Sequence, residues 1–158
     1  MGNIRIRPAV REDIPLILGF IRELAEYEKL SDQVVADEKT LERWIFDKQK
    51  AEVLFALADG KEAGFALFFH NFSTFLGRAG IYLEDLFVKP EYRGLGLGKA
   101  LLRALAQTAL ERGCGRLEWS CLDWNTPSIN FYLSLGAQPM DGWTTYRLTG
   151  DTLENMAK

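Results

Sequence analysis

Histidine is almost missing from this chain. His70 is the single imidazole in 158 residues, which argues against a multi-histidine metal site and against a histidine-based nucleophilic triad. Cysteine is nearly as scarce. Cys114 and Cys121 have neither metal-ligand spacing nor the density of a disulfide framework, and they read as reduced thiols in a cytoplasmic protein. No long apolar run occurs. The opening "MGNIRIRPAV" lacks the apolar stretch of a signal peptide or a membrane span. Gly2 suggests myristoylation, but residue 6 is Ile rather than Ser or Thr, so the motif fails. Excess basic charge is also absent. A formal net charge of −3 gives no electrostatic footprint for nucleic acid and is compatible with a cationic ligand.

What is present is ordinary globular composition, with 47% apolar and 26% charged residues, enough for a buried core in one domain spanning 1–158. "NIRIRPA" alternates and ends at a proline, which predicts a first strand. Ile14, Ile17, Leu18, Ile21, Leu24 and Ala25 recur at helical spacing, so a helix is expected from Arg11 to near Leu30. A second helix is expected from about Glu38 to Asp47. "EVLFALAD" and "GFALFFHNF" flank a Gly60 turn as a hairpin, and "GIYLEDLFVK" is a central strand. A helix to about Arg112 follows, then a strand in "RLEWSCL". A short helix in "NTPSINFYLSLG" starts near Pro127 and stops at Gly136. "WTTYRL" is expected as a last strand. The order predicts a mixed α/β fold.

The region between the central strand and the third helix reads "EDLFVKPEYRGLGLGKALLRALA". The start of a helix has unsatisfied N–H groups and a positive dipole end. Glycines there let an anion approach the backbone. One glycine would serve a plain turn; three predict a phosphate or pyrophosphate loop. A Walker A loop fails, because Arg93 and Ala100 stand where Gly and Ser or Thr are needed. Gly94, Gly96 and Gly98 also have the wrong spacing for a dinucleotide fingerprint.

What remains is Arg-x-x-Gly-x-Gly at Arg93, Gly96 and Gly98, after "LEDLFVKPEY" and before an amphipathic helix, with "LDWNTPSINFYLSLGA" downstream. In these stretches the chain resembles the GNAT acetyltransferase superfamily. "RELAEYEKLSDQV" and "LDWN" are similar to its diamine branch, and within it to the thialysine N-acetyltransferases. The resemblance implies a single-domain GNAT fold with a mixed, mostly antiparallel central sheet flanked by helices. It implies an acetyl-CoA-dependent N-acetyltransferase acting on a small primary amine, as a homodimer, with no metal. By resemblance Gly94, Leu95, Gly96, Leu97, Gly98 and Lys99, with Arg93, hold the pyrophosphate. Leu86, Phe87 and Val88 align the cosubstrate by strand-like backbone contact. Asn125, Thr126, Pro127 and Ser128 contact the pantetheine, although Asn125 is also suited to cap a helix.

Glu84 and Asp85 stand in an otherwise apolar strand, where a carboxylate is costly unless paired or used. Strict alternation puts Glu84 with Tyr82, Leu86 and Val88, and Asp85 with Ile81, Leu83 and Phe87. An alkylamine resembling lysine titrates near 10.4, so it is protonated at neutral pH and cannot attack. The resemblance gives Glu84 the role of binding the ammonium and helping to remove its proton, and gives Tyr132 that of the acid protonating the departing thiolate. Plain packing or ion pairing is the alternative for each. Tyr27, Glu28, Asp85, Glu118, Trp119, Ser120 and Asp141 are implied as substrate contacts. For Asp141 the loop from Gly136 to Trp143 is shorter than in the diamine enzymes.

One departure bears on substrate. Polyamine acetyltransferases carry an Asp-Pro-Trp stretch before the Leu-Glu-Asp strand; this chain has Ser73-Thr74-Phe75. Losing an acidic residue weakens binding of a long polycation and favours a shorter, lysine-like amine. The alternatives are a polyamine acetyltransferase, an acetyltransferase of protein lysines or N-termini, and a non-catalytic acetyl-CoA-binding sensor.

Overall fold

The computed structural model describes residues 3–158; Gly2 lies outside the described residues. By contact density the chain forms two compact units, 1–120 and 121–158.

In the first unit the alternating N-terminal run forms β1, Ile4–Pro8. The apolar stripe forms α1, Ile14–Tyr27, after a single 3-10 turn. α1 ends in a Schellman arrangement: Lys29 takes φ +62°, the Lys29 N–H donates to Glu26 O at 3.1 Å, and the Leu30 N–H donates to Ala25 O at 2.8 Å. That closure makes Glu28 the C-cap residue. α2, Glu38–Leu41, continues as a π-helical turn, Glu42–Asp47. β2 (Glu52–Ala58) and β3 (Lys61–Ser73) form the hairpin expected around Gly60, and β4 (Arg78–Val88) extends it to a meander. α3, Leu97–Glu111, and β5, Leu117–Trp119, complete the unit.

The five strands lie in sequence order, antiparallel except for the parallel pair β4–β5. The two faces follow from the register. Val53, Phe55, Phe65 and Phe87 share one face, which α1 covers: Phe20 stacks on Phe65 at 5.1 Å and meets Phe55 at 5.9 Å. Phe20, Phe55 and Phe65 are fully buried, and each contributes roughly 1.5–3 kcal/mol of transfer free energy. Gly64 and Val88 share the other face, against Leu101 of α3.

The alternation expected within β4 is interrupted. Leu67 pairs with Asp85 and its neighbour Phe68 pairs with Leu83, so Glu84 is an extra residue, a β-bulge. Directly paired residues share a face. Tyr82, opposite Phe69, therefore lies on the α1 face with Asp85 and Phe87, whereas Ile81 and Leu83 lie on the α3 face with Leu86 and Val88. Strict alternation had grouped Tyr82 with Leu86 and Asp85 with Leu83; the bulge reverses that phase between Leu83 and Asp85.

In the second unit, α4 spans Thr126–Ser134 and α5 spans Gly150–Met156. The strand expected over 143–148 is not formed: those residues have no ladder, and Trp143 and Tyr146 are exposed. β-favouring composition describes fitness for a pleated surface; a strand also needs a hydrogen-bonded neighbour. Among the described residues no helix is long and apolar enough to cross a membrane.

A Cβ added at Gly64 would sit 3.0 Å from the Phe87 carbonyl oxygen and 3.2 Å from Val88 Cγ2. Gly64→Ala is expected to cost about 1–3 kcal/mol of stability, measured by urea unfolding. An unchanged midpoint would mean that the two strands can part there without loss.

Candidate active site

The loop before α3 is built from backbone conformation. Pro90–Tyr92 forms a 3-10 turn, then Gly94 (φ +79°) and Gly96 (φ +90°) adopt the left-handed region that glycine enters freely. Nothing lies within 4 Å of a Cβ placed at Gly94, and only an Ile4 methyl, at 3.9 Å, meets one at Gly96. Conformation, then, rather than crowding, requires these two glycines. Gly98, in the first turn of α3, needs no such conformation; its bare Cα leaves the first helical turn accessible. Leu97 anchors the turn in the core, while Leu95 is exposed. Lys99 is exposed at the helix start. The opening N–H groups of an α-helix lack intrahelical acceptors, so the backbone from Gly94 to Lys99 fits an anionic pyrophosphate.

Arg93 secures the base of this loop. Its guanidinium lies 4.8 Å over the Tyr27 ring and 5.4 Å over Phe87, and its Nε donates to the Val88 carbonyl at 3.0 Å. Tyr27 meets Phe87 edge-on at 6.4 Å. The loop, the end of α1 and the end of β4 are thereby tied together.

β4 pairs with β5 only from Ile81 to Leu83, yet β4 continues to Val88. Beyond the bulge, the edge of β4 that faced β5 has no ladder partner among the described residues. Leu86, Phe87 and Val88 lie on that stretch. Apart from the Val88 carbonyl, which accepts from Arg93 Nε, such an edge can receive an extended amide-bearing ligand.

Three carboxyl groups gather where the edge opens. Glu84 is exposed at the bulge, Asp85 is half-buried on the α1 face and Glu28 is half-buried at the end of α1. They act on one another. Burial, then the charges of Glu84 and Glu28, push the Asp85 carboxyl up to about 7. Burial, then Glu84, raises Glu28 above the usual carboxylate range. Such a cluster is electrostatically unfavourable without a cation and favourable with one.

A second group of polar side chains lies further along the same face. The Tyr82 hydroxyl and the Ser120 hydroxyl are 2.7 Å apart. Asn71 Nδ2 donates to Glu118 Oε1 at 3.2 Å, and Arg116 stands 3.7 Å from Glu118 Oε2. Arg116 also donates to the Ser73 hydroxyl at 2.6 Å. Trp119 pairs with Leu83 and is on the opposite face of β5 from Glu118. Sequence reasoning did not single out Asn71 or Arg116. The available signals were an amide in an apolar strand and a cation two residues before an acid.

Asn125, Thr126, Pro127, Ser128, Tyr132 and Asp141 belong to the second unit. Buried Asn125 caps α4, its Oδ1 accepting from the Ser128 N–H at 3.4 Å, and Thr126 and Pro127 open the helix. Tyr132 is half-buried on α4, beside Phe131 at 5.6 Å. Asp141 is exposed in a turn. His70, given no site role, stands 3.3 Å from Arg112, which holds Glu52 through two hydrogen bonds of 2.7 and 2.9 Å.

Comparison with known proteins agrees with this architecture. The model of the Acetyltransferase (GNAT) family matches residues 19–137. The chain is 40% identical over 169 aligned positions to a thialysine N-epsilon-acetyltransferase of Bos taurus, covering 99% of both chains. It is 34% identical to an L-ornithine N5-acetyltransferase of Arabidopsis thaliana, covering 98% of this chain and 88% of that one. Among solved structures, an integron cassette protein of V. cholerae superposes with a TM-score of 0.82 at 29% identity, covering 98% of each chain. The chain belongs to the GNAT acetyltransferase family and is an acyltransferase. That family uses acetyl-CoA as cosubstrate, and the glycine loop and the open β4 edge fit its pyrophosphate and its amide-bearing arm.

Asp85 generates a pH prediction. An unfolded aspartate titrates near 3.8 and the folded one near 7. Between those values the folded chain keeps a proton that the unfolded chain has released, so this group's contribution to stability falls as pH rises through 7. Asp85→Asn is therefore expected to raise the unfolding free energy at pH 8 by on the order of 2–4 kcal/mol, with little gain at pH 4. Denaturant unfolding at the two pH values checks it. An equal effect at both would contradict the raised pKa.

Proposed function

We propose that this protein moves the acetyl group of acetyl-CoA to the primary amine of a small lysine-like amino acid or diamine, by direct attack within a ternary complex. The observation that carries this reading is the gathering of Glu28, Glu84 and Asp85 beside the open edge of β4. A substrate ammonium relieves the mutual repulsion of these carboxyl groups. Once one of them takes the ammonium proton, directly or through water, the amine lone pair is free.

Acetyl-CoA supplies the activated acyl group as a thioester. The deprotonated amine nitrogen attacks the thioester carbonyl, a C–N bond forms and the C–S bond breaks. Glu84 receives the ammonium proton before the attack; the nitrogen releases a second proton to water as the amide forms, and the Tyr132 hydroxyl supplies one to the departing thiolate and is reprotonated from water. The backbone of Leu86–Val88 aligns the pantetheine, Gly94–Lys99 hold the pyrophosphate, and Asn125–Ser128 complete the cosubstrate contacts. Tyr27, Glu28, Asp85, Glu118, Trp119, Ser120 and Asp141 form the amine side. Near full-length similarity to a thialysine and an ornithine acetyltransferase supports an amino-acid amine, as does Ser73-Thr74-Phe75 in place of an acidic stretch. We place the chain in the cytoplasm as a homodimer of single catalytic domains spanning 1–158.

The test is acetyl-CoA-dependent release of free CoA with thialysine, lysine, ornithine, putrescine, spermidine and a lysine peptide. Turnover concentrated on the amino-acid amines is expected. Preference for spermidine would make it a polyamine acetyltransferase, and preference for the peptide a protein acetyltransferase. Acetyl-CoA binding without CoA release would make it a sensor. Tyr132→Phe is expected to lower kcat by about 100-fold or more; unchanged turnover across pH would remove Tyr132 as the acid.

A further inference from the structure

Gly80 lies on β4 opposite Asn71 of β3. A Cβ there would sit 2.6 Å from Asn71 Oδ1 and 3.2 Å from the Arg116 carbonyl oxygen. The missing side chain opens a passage over β4. Through it Asn71 reaches across a whole strand to Glu118 of β5. Arg116 and Glu118, two residues apart at β5, share the face of Asn71 and Ser73. The Ser73 hydroxyl both takes the Arg116 hydrogen bond and accepts from the Leu76 N–H at 3.1 Å, closing its own turn. One guanidinium and one carboxylate are thus held side by side by neutral partners.

The two charges are not spent on each other. Their separation is 3.7 Å, and their side chains are 43% and 35% exposed. A pair of that kind contributes little by itself. Each retains donors or acceptors for a ligand.

We propose that Arg116 and Glu118 read the α-carboxylate and α-ammonium of an amino-acid substrate, with Asn71 and Ser73 as positioning residues. This rests on the amine-acetylating function proposed above and names its substrate class. The spacing agrees. Glu118 pairs with Tyr82, and Glu84 lies two residues further along β4. At ~3.3 Å per residue and ~4.8 Å between strands, the two acidic positions are about 8 Å apart. An extended lysine side chain carries its ε-nitrogen about 6 Å from Cα, by ordinary bond lengths. An amino acid whose zwitterionic end meets Arg116 and Glu118 therefore delivers its terminal amine to the Glu28–Glu84–Asp85 cluster. A diamine of equal length satisfies Glu118 but has nothing for Arg116.

The test uses the intact enzyme with acetyl-CoA and three amines: L-lysine, L-lysinamide and cadaverine. The wild type is expected to favour lysine over both others by about tenfold or more in kcat/KM, the scale of a hydrogen-bonded charge pair. Arg116→Gln is expected to collapse that preference, whereas Glu118→Gln raises KM for lysine and cadaverine alike. Asn71→Leu is expected to raise KM about threefold or more with the effect absent from kcat; an unchanged KM removes its positioning role. Equal use of lysine and cadaverine by the wild type overturns the inference while leaving amine acetylation intact, a result that needs no variant to fold. A preference that survives Arg116→Gln overturns the role of Arg116. Absence of CoA release with every amine overturns the proposed function, and this inference with it.

Discussion

Glu84 has no partner across β3, and the arrangement of the acidic face depends on that one unpaired residue. A strand that kept its register would place Tyr82 and Asp85 on opposite faces of the sheet. The extra residue reverses the alternation, so both lie on the α1 face of the sheet, with Phe87. The same irregularity comes immediately after the last paired residue of β4 and β5. Bulges bend a strand and raise its local twist. Here the bend and the end of pairing coincide, and the chain gathers exposed Glu84 and half-buried Asp85 and Glu28 beside a strand edge that has no ladder partner among the described residues.

Holding that arrangement requires rigid surroundings. Like charges crowded into partly desolvated positions oppose folding, and the Asp85 carboxyl responds by keeping its proton to about pH 7. The compensation lies in the apolar layer beside it, where Phe20, Phe55, Phe65 and Phe87 pack between α1 and the sheet. Lys29 in a left-handed conformation is a second local cost, of roughly 1–2 kcal/mol. It ends α1 so that Glu28 comes at the terminus rather than one turn deeper. The crowded charge lies in elements that form the candidate site, beside an apolar core; the left-handed cost at Lys29 recurs at Gln49 and Asp59, outside the site.

Much of the fold was legible because its signals are local. Apolar spacing located α1, Gly60 located the hairpin, and three glycines located the loop before α3. The loop's conformation was legible too, since left-handed backbone at Gly94 and Gly96 is what glycine permits. The bulge was not legible: "YLEDLFV" reads as regular alternation, and only the pairing register of β3 reveals the added residue. Nor was the bridge from Asn71 to Glu118, which joins residues 47 positions apart and depends on the empty position at Gly80. The segment 143–148 failed for a different reason, because composition cannot supply the neighbour that a strand requires. α5 was missed because it buries no residue, so no apolar periodicity marks it.

The β4 edge beyond Glu84 is the proposed receiving surface for acetyl-CoA. Amide hydrogen exchange measured residue by residue, with and without saturating acetyl-CoA, addresses it directly. Slowing by about tenfold or more is expected for amides within Leu86–Val88, together with those of the glycine loop. Protection of the loop with exchange at Leu86–Val88 unchanged would contradict it, and would mean that the cosubstrate is held by its phosphates without adding to the sheet.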